Sequence, residues 1–121
     1  MKKVLQIEDQ WQNRLLIERI LTGKFAVYHA ESGEEGIQKA IEVKPDLILI
    51  DIGLPDFDGH TVLTMLRQIP DLQETQMVAL TAWPPDLARD MCERYGYDGC
   101  ITKPIDVKGF PELISTYLQS T

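Results

Sequence analysis

Four consecutive large aliphatic residues, Leu47-Ile48-Leu49-Ile50, run straight into a lone acid, Asp51. Successive strand side chains point to opposite faces, so a strand apolar at every position must be covered on both sides. A surface strand cannot carry this run. It calls for a central strand with helices above and below.

Four further apolar runs recur along the chain: Val4-Leu5-Gln6-Ile7, Phe25-Ala26-Val27-Tyr28, Met77-Val78-Ala79-Leu80 and the weaker Cys100-Ile101. Between them the period becomes helical. Leu16 and Ile20 mark a first helix with Gly23 as its stop. Ser32-Gly33-Glu34-Glu35 has the form of a capping box, followed by Ile37, Ala40 and Ile41 at helix spacing. Leu87, Met91 and Tyr95 form a stripe before Gly96. Phe110, Leu113, Ile114, Tyr117 and Leu118 make the cleanest amphipathic face, with Pro111 suited to a first turn. Five strands alternating with five helices predict an α/β fold with a doubly wound parallel sheet. At 121 residues the chain fits one domain, residues 1–121, with no output domain following.

Composition narrows the partners. Hydrophobic residues at 44% supply a real core without disulfides or structural metal. The excess of 19 acids over 12 bases disfavours direct nucleic-acid binding, which is driven by Lys and Arg, and favours a cation or a basic partner surface. Cys92 and Cys100 lack metal-type spacing and read as buried free thiols in a reducing compartment. The start, Met1-Lys2-Lys3-Val4-Leu5-Gln6-Ile7-Glu8-Asp9, meets acids too soon for a signal peptide. No run approaches the roughly 18 apolar residues of a membrane span, so a cytoplasmic protein is expected.

Ligands of doubly wound sheets bind outside the carboxyl ends of the strands. Four apolar runs end in reactive groups there: Glu8-Asp9, Asp51, Thr81, and Thr102-Lys103-Pro104. Three crowded carboxylates repel one another unless a cation lies among them, and hard oxygen donors suit Mg²⁺. A hydroxyl and an ammonium beside them suit an anion next to the metal. Taken singly, each group has an ordinary structural explanation, such as a solvated loop, an N-cap, a strand threonine or a Lys-Pro turn. None of these explains their common edge.

With Glu8-Asp9, the block from Asp51 through Pro55 to Gly59, Ala79-Leu80-Thr81-Ala82 and Thr102-Lys103-Pro104, the chain resembles the receiver domains of bacterial two-component response regulators over essentially its whole length. The resemblance implies a flavodoxin-like sheet in the order 2-1-3-4-5. It implies Asp51 as the phosphoacceptor, with a sensor histidine kinase or phosphotransfer protein as donor. Asp9, Asp51 and the backbone carbonyl of Gly53 would hold Mg²⁺, with Glu8 acting through a water. Lys103 would pair with a phosphoryl oxygen, Thr81 would donate its hydroxyl, and Lys103-Pro104 would be cis. Signalling would pass to a downstream protein through the face built by the fourth helix, fifth strand and fifth helix.

Two positions depart from the family pattern. Cys100 stands three residues before Lys103, where an aromatic switch residue is usual, so output is expected to run through the loop before the fourth helix. Trp83-Pro84-Pro85 follows the switch threonine, and Trp83 is expected either to govern water access to an aspartyl phosphate or to serve a docking patch. Trp11, near the acids, offers a fluorescence reporter for Mg²⁺, while His29 and His60 match no phosphotransfer motif and read as solvated or loop residues.

Competing readings are less consistent with the residues. A hydrolase using an aspartyl-phosphate intermediate wants an acid two residues after the nucleophile, where Gly53 stands. A degenerate receiver would not need Glu8, Asp9, Asp51, Thr81 and Lys103 together. A flavin carrier wants a Ser/Thr/Gly-rich loop where Asp9-Gln10-Trp11-Gln12-Asn13 stands. The expectation is therefore a phosphoacceptor switch rather than an enzyme acting on external substrates.

Overall fold

A computed structural model describes residues 1–52 and 59–119. Along the chain come β1 (Lys3–Ile7), α1 (Trp11–Leu21), β2 (Ala26–Ala30), α2 (Gly33–Val43) and β3 (Leu47–Asp51). Then follow α3 (Gly59–Arg67), a 3₁₀ turn at Pro70–Leu72, β4 (Gln76–Thr81), α4 (Pro85–Tyr95), β5 (Gly99–Thr102) and α5 (Phe110–Gln119). All strand pairings are parallel, in the order β2-β1-β3-β4-β5. The expected doubly wound sheet is the one observed.

Alternation along each strand divides the core in two. Leu5, Ile7, Ile48, Ile50, Met77 and Ala79 pack against Ala40 of α2, Val62 and Leu66 of α3 and Met91 of α4. Val4, Leu47, Leu49, Val78 and Leu80 face Ile17 and Leu21 of α1 and Phe110 and Ile114 of α5. Residues Leu47 to Ile50 are wholly buried, as a strand covered on both faces requires. The apolar layers hold the sheet by burial, worth roughly 1.5–3 kcal/mol for each large side chain removed from water. Gly36 lets α2 lie close over β1, because a Cβ there would come 2.5 Å from Ile7 Cδ1.

Helix boundaries follow local chemistry. Gly23 adopts φ 90° just beyond α1, a conformation that costs glycine little. Ser32 Oγ accepts the Glu35 N–H at 3.2 Å, while Glu35 Oε2 reaches back to the Glu31 N–H rather than completing the box at Ser32. Ser32→Ala is expected to cost about 1 kcal/mol, read as a lower urea midpoint at unchanged slope. Pro111 sits in the first turn of α5 as anticipated.

Several inward faces differ from expectation. In α1 the buried residues are Ile17 and Leu21, whereas Leu16 is exposed and Ile20 only partly covered. In α2, Ile41 faces outward. Leu113 of α5 is likewise exposed. In α4 the core side is Ala88, Met91 and Cys92, leaving Leu87 and Tyr95 at the surface. Cys92 is buried, but Cys100 is only half-buried, and both are free thiols. His60 lies in α3 rather than a solvated loop, stacked on Tyr95 at 3.8 Å and with Nδ1 3.0 Å from the Tyr97 hydroxyl.

The far end of α4 is tightly held. Gly96 caps it at φ 88°, Arg67 Nη2 donates to the Gly96 carbonyl at 3.2 Å, and the same group pairs with Asp98 at 2.7 Å. Asp98 Oδ2 also accepts the Met77 N–H at 2.8 Å. At its near end the Pro84 cap makes no side-chain hydrogen bond. Among the described residues no helix is long and apolar enough to cross a membrane.

Candidate functional site

Parallel winding brings the carboxyl ends of β1, β3, β4 and β5 to one edge. Glu8 and Asp9 follow β1, Asp51 ends β3, Thr81 ends β4, and Lys103 follows β5. Register aligns Ile7 with Ile50, Asp51 with Leu80, and Thr81 with Thr102. The Lys103 N–H donates to the Thr81 carbonyl at 2.7 Å, carrying the lysine toward the acids. The Lys103-Pro104 peptide is cis.

Carboxylate oxygens of Glu8, Asp9 and Asp51 lie within 4.8 Å of one another. Lys103 Nζ bridges two of them, 3.4 Å from Glu8 Oε1 and 3.3 Å from Asp51 Oδ1. Glu8 is wholly buried and its Oε2 has no hydrogen-bond partner among the described residues. An uncompensated buried carboxylate oxygen is costly, so this atom marks where a cation fits. Burial first, and then the neighbouring Asp51 carboxylate, push the Glu8 carboxyl from its ordinary 4.5 up to about 7; the Asn13 amide and Lys103 act in the opposite direction. Three clustered oxygen donors suit a hard divalent ion such as Mg²⁺.

A cleft of about 280 Å³ opens over these groups, lined by Asp9, Asp51, Thr81, Trp83 and Lys103 among others. Thr81 is buried, and its Oγ1 accepts the Trp83 N–H at 3.1 Å, which leaves the hydroxyl proton for another acceptor. Trp83 is about half exposed at the rim of the cleft. Gly53, expected to lend a backbone carbonyl to the metal, lies outside the described residues.

Two polar residues that the sequence reading passed over complete the setting. Arg14 Nη1 donates to the Glu8 and Asp9 carbonyls at 2.9 and 3.1 Å, and Nη2 pairs with Glu31 at 3.0 Å. Asn13 Nδ2 donates to Glu8 Oε1 at 2.6 Å. Their place in the first turn after Glu8-Asp9 is the one signal that could have found them.

Cys100 Sγ donates weakly to the Ala88 carbonyl at 3.6 Å, holding the small side chain against α4. Burial, with the adjacent Cys100 thiol, pushes the Cys92 thiol well above its ordinary range, so it stays protonated and unreactive.

Comparison with known proteins agrees with this geometry. The family model for the response regulator receiver domain matches residues 4–115. The polar-differentiation response regulator DivK of Brucella ovis is 32% identical over 118 residues, spanning 97% of this chain and 96% of that protein. The signal receiver domain of a signal transduction histidine kinase from Syntrophus aciditrophicus superposes with a TM-score of 0.86 at 26% identity, covering 100% and 92% of the two chains. The receiver domain of a sensor histidine kinase from Pseudomonas aeruginosa PAO1, solved with a magnesium ion coordinated in its active site cleft, shares the fold with a TM-score of 0.87 at 24% identity and 98% coverage of both chains. Fold, strand-end chemistry and sequence agree: this chain belongs to the response regulator receiver domains of two-component signalling.

Proposed function

We propose that the chain is a single receiver unit over residues 1–121 that takes a phosphoryl group onto Asp51 from a phosphohistidine on a sensor histidine kinase or phosphotransfer protein. Glu8, Asp9, Asp51 and the Gly53 carbonyl would hold Mg²⁺. The observation that carries this reading is the convergence of three acids and Lys103 around Glu8 Oε2, which has no hydrogen-bond partner among the described residues. When bound, Mg²⁺ supplies neutralisation of charge on the phosphoryl oxygens.

The chain's own groups account for the rest. A carboxylate oxygen of Asp51 attacks phosphorus in line. The P–N bond to the donor imidazole breaks, its electron pair stays on the ring nitrogen, and that nitrogen takes up a proton. Lys103 exchanges its carboxylate partners for a phosphoryl oxygen, and Thr81 turns its free hydroxyl proton toward another. Charge-assisted hydrogen bonds of this kind bias a two-state fold, and reversing a 1:99 population needs about 5.5 kcal/mol.

Output would pass to a downstream protein through the face of α4, β5 and α5, where a hollow of about 380 Å³ is lined by Ala88, Arg89, Cys92, Cys100 and Tyr117 among others. The half-buried Cys100 lacks the bulk to swing, which supports coupling through the Thr81–Trp83 hydrogen bond and the loop before α4. A cytoplasmic setting and no direct nucleic-acid contact belong to the same reading.

The test is incubation with acetyl phosphate, with Mg²⁺ or with EDTA, followed by intact mass. The mass of one phosphoryl group is expected with metal and none without. No gain with metal present overturns the reading. Trp83→Ala is expected to shorten the lifetime of the modified form several-fold by opening the cleft rim to water. An unchanged decay rate removes Trp83 from that role.

A further inference from the structure

Glu8 has two carboxylate oxygens in different circumstances. Its Oε1 accepts from Lys103 Nζ at 3.4 Å and from Asn13 Nδ2 at 2.6 Å, whereas its buried Oε2 has no partner among the described residues. The hydrogen bond from the Asn13 amide is the shorter by far. Asn13 is itself fixed. Its N–H donates to the Gln10 carbonyl at 3.1 Å, and its Nδ2 also reaches Gln10 Oε1 at 3.3 Å. One turn of helix thus presents a neutral donor whose position the backbone determines. Below it, Gln6 Nε2 donates to the Arg14 carbonyl at 2.9 Å and ties this turn to β1.

We propose that Asn13 is a positioning residue for the metal. It holds Glu8 by Oε1 so that Oε2 remains the oxygen offered to the cation or to its bound water. This inference rests on the Mg²⁺ reading of the site. Lys103 cannot do the same work, because its ammonium is shared with Asp51 at 3.3 Å and is the group that must turn toward an incoming phosphoryl oxygen. When Lys103 leaves, Glu8 Oε1 still has the Asn13 amide. Without that amide the buried carboxylate loses its second anchor at the same moment, and both oxygens compete for the metal's shell. A neutral donor suits the task better than a second cation, which would repel Mg²⁺.

Groups that orient a metal ligand from behind typically change metal affinity 10- to 100-fold when removed. Mg²⁺ titrations followed by tryptophan fluorescence, using Trp11 and Trp83, test the assignment on wild type, Asn13→Leu and Asn13→Gln. Thermal unfolding of each in EDTA checks the metal-free fold. Asn13→Leu keeps bulk without a donor and is expected to raise the Mg²⁺ dissociation constant about 10- to 100-fold, while the metal-free protein still melts cooperatively at a midpoint lowered by loss of the Glu8 hydrogen bond. Asn13→Gln keeps the amide on a longer arm and is expected to recover part of the loss. A dissociation constant for Asn13→Leu within about twofold of wild type overturns the assignment, because loss of a group that orients a metal ligand changes metal affinity by about tenfold or more. An equal loss in the Leu and Gln variants also overturns it, by tracing the effect to shape instead of the amide. Wild type that binds no Mg²⁺ would instead sink the metal reading itself, so the two failures are distinct.

Discussion

Asn in place of Asp51 is expected to abolish phosphoryl uptake while making the metal-free protein more stable at neutral pH. The first effect follows from chemistry, because a carboxamide oxygen is a poor nucleophile and a weaker metal ligand than a carboxylate. The second follows from placement. Asp51 is mostly buried beside the fully buried Glu8 and helps to hold the Glu8 carboxyl up near pH 7. Removing one of three crowded negative charges relieves repulsion. It also removes the 3.3 Å Lys103–Asp51 pair, but Lys103 is a quarter exposed and retains Glu8 as a partner. The large cost of breaking a buried pair comes from stranding the remaining charge, and Lys103 is not stranded, so the relief wins. A gain of about 1 kcal/mol, or roughly 3–6 °C in thermal midpoint, is expected in EDTA at pH 7. Intact mass after acetyl phosphate reads the first effect and scanning calorimetry the second. Equal labelling of the Asn variant and wild type would move the acceptor elsewhere.

Stability without metal is expected to fall as pH rises from about 4.5 to 7, and Mg²⁺ is expected to restore it at the upper end. The unfolded chain releases the Glu8 proton near 4.5, whereas the folded protein keeps it until about 7. An acid whose folded value is raised therefore stabilises the fold least above that value, and Glu8 costs the metal-free protein about 3 kcal/mol by pH 7 relative to pH 4.5. Below 4.5 both states are protonated and the difference vanishes. A divalent cation takes the place of the proton, so at a hundredfold excess over its dissociation constant it adds about 2.7 kcal/mol at neutral pH. Near pH 5 protons compete and the gain shrinks. Melts in EDTA and in MgCl₂ across this range check the claim, with Glu8→Gln isolating the group from other titrating acids. A Mg²⁺ effect that does not change with pH, or a Glu8→Gln variant with the wild-type pH slope, counts against it.

The parts of the fold legible in the sequence were those where one physical demand fixed the residue type. Leu47 to Ile50 had to be central because nothing polar interrupts either face. The placements of Glu8, Asp9, Asp51, Thr81 and Lys103 at one edge followed from parallel winding alone. Edges were harder. β2 extends through the exposed His29 to Ala30, and a strand paired on one side only carries a diluted apolar signal. In α4 the large residues misled, since Ala88 and Cys92 pack inward where β5 lies close and Leu87 and Tyr95 are left outside. Small side chains bury well but announce themselves weakly in any hydrophobic pattern. Asn13, Arg14 and His60 escaped for a different reason. A polar residue at a helix start reads as solvated, and its partners (a Glu8 oxygen, two carbonyls, a Tyr97 hydroxyl) become visible only when distant segments meet.

The clamp at Gly96 has a mechanical consequence for α4. Arg67 and Asp98 lock the helix's last turn to α3 and β4, while the proline-led first turn lacks a side-chain cap. Such a rod would pivot as a lever with its fulcrum far from the cleft. A small pull on the Trp83 amide through Thr81 would then be delivered as a sideways sweep of the α4 tip, broadest beside the reactive edge and dying away toward Gly96.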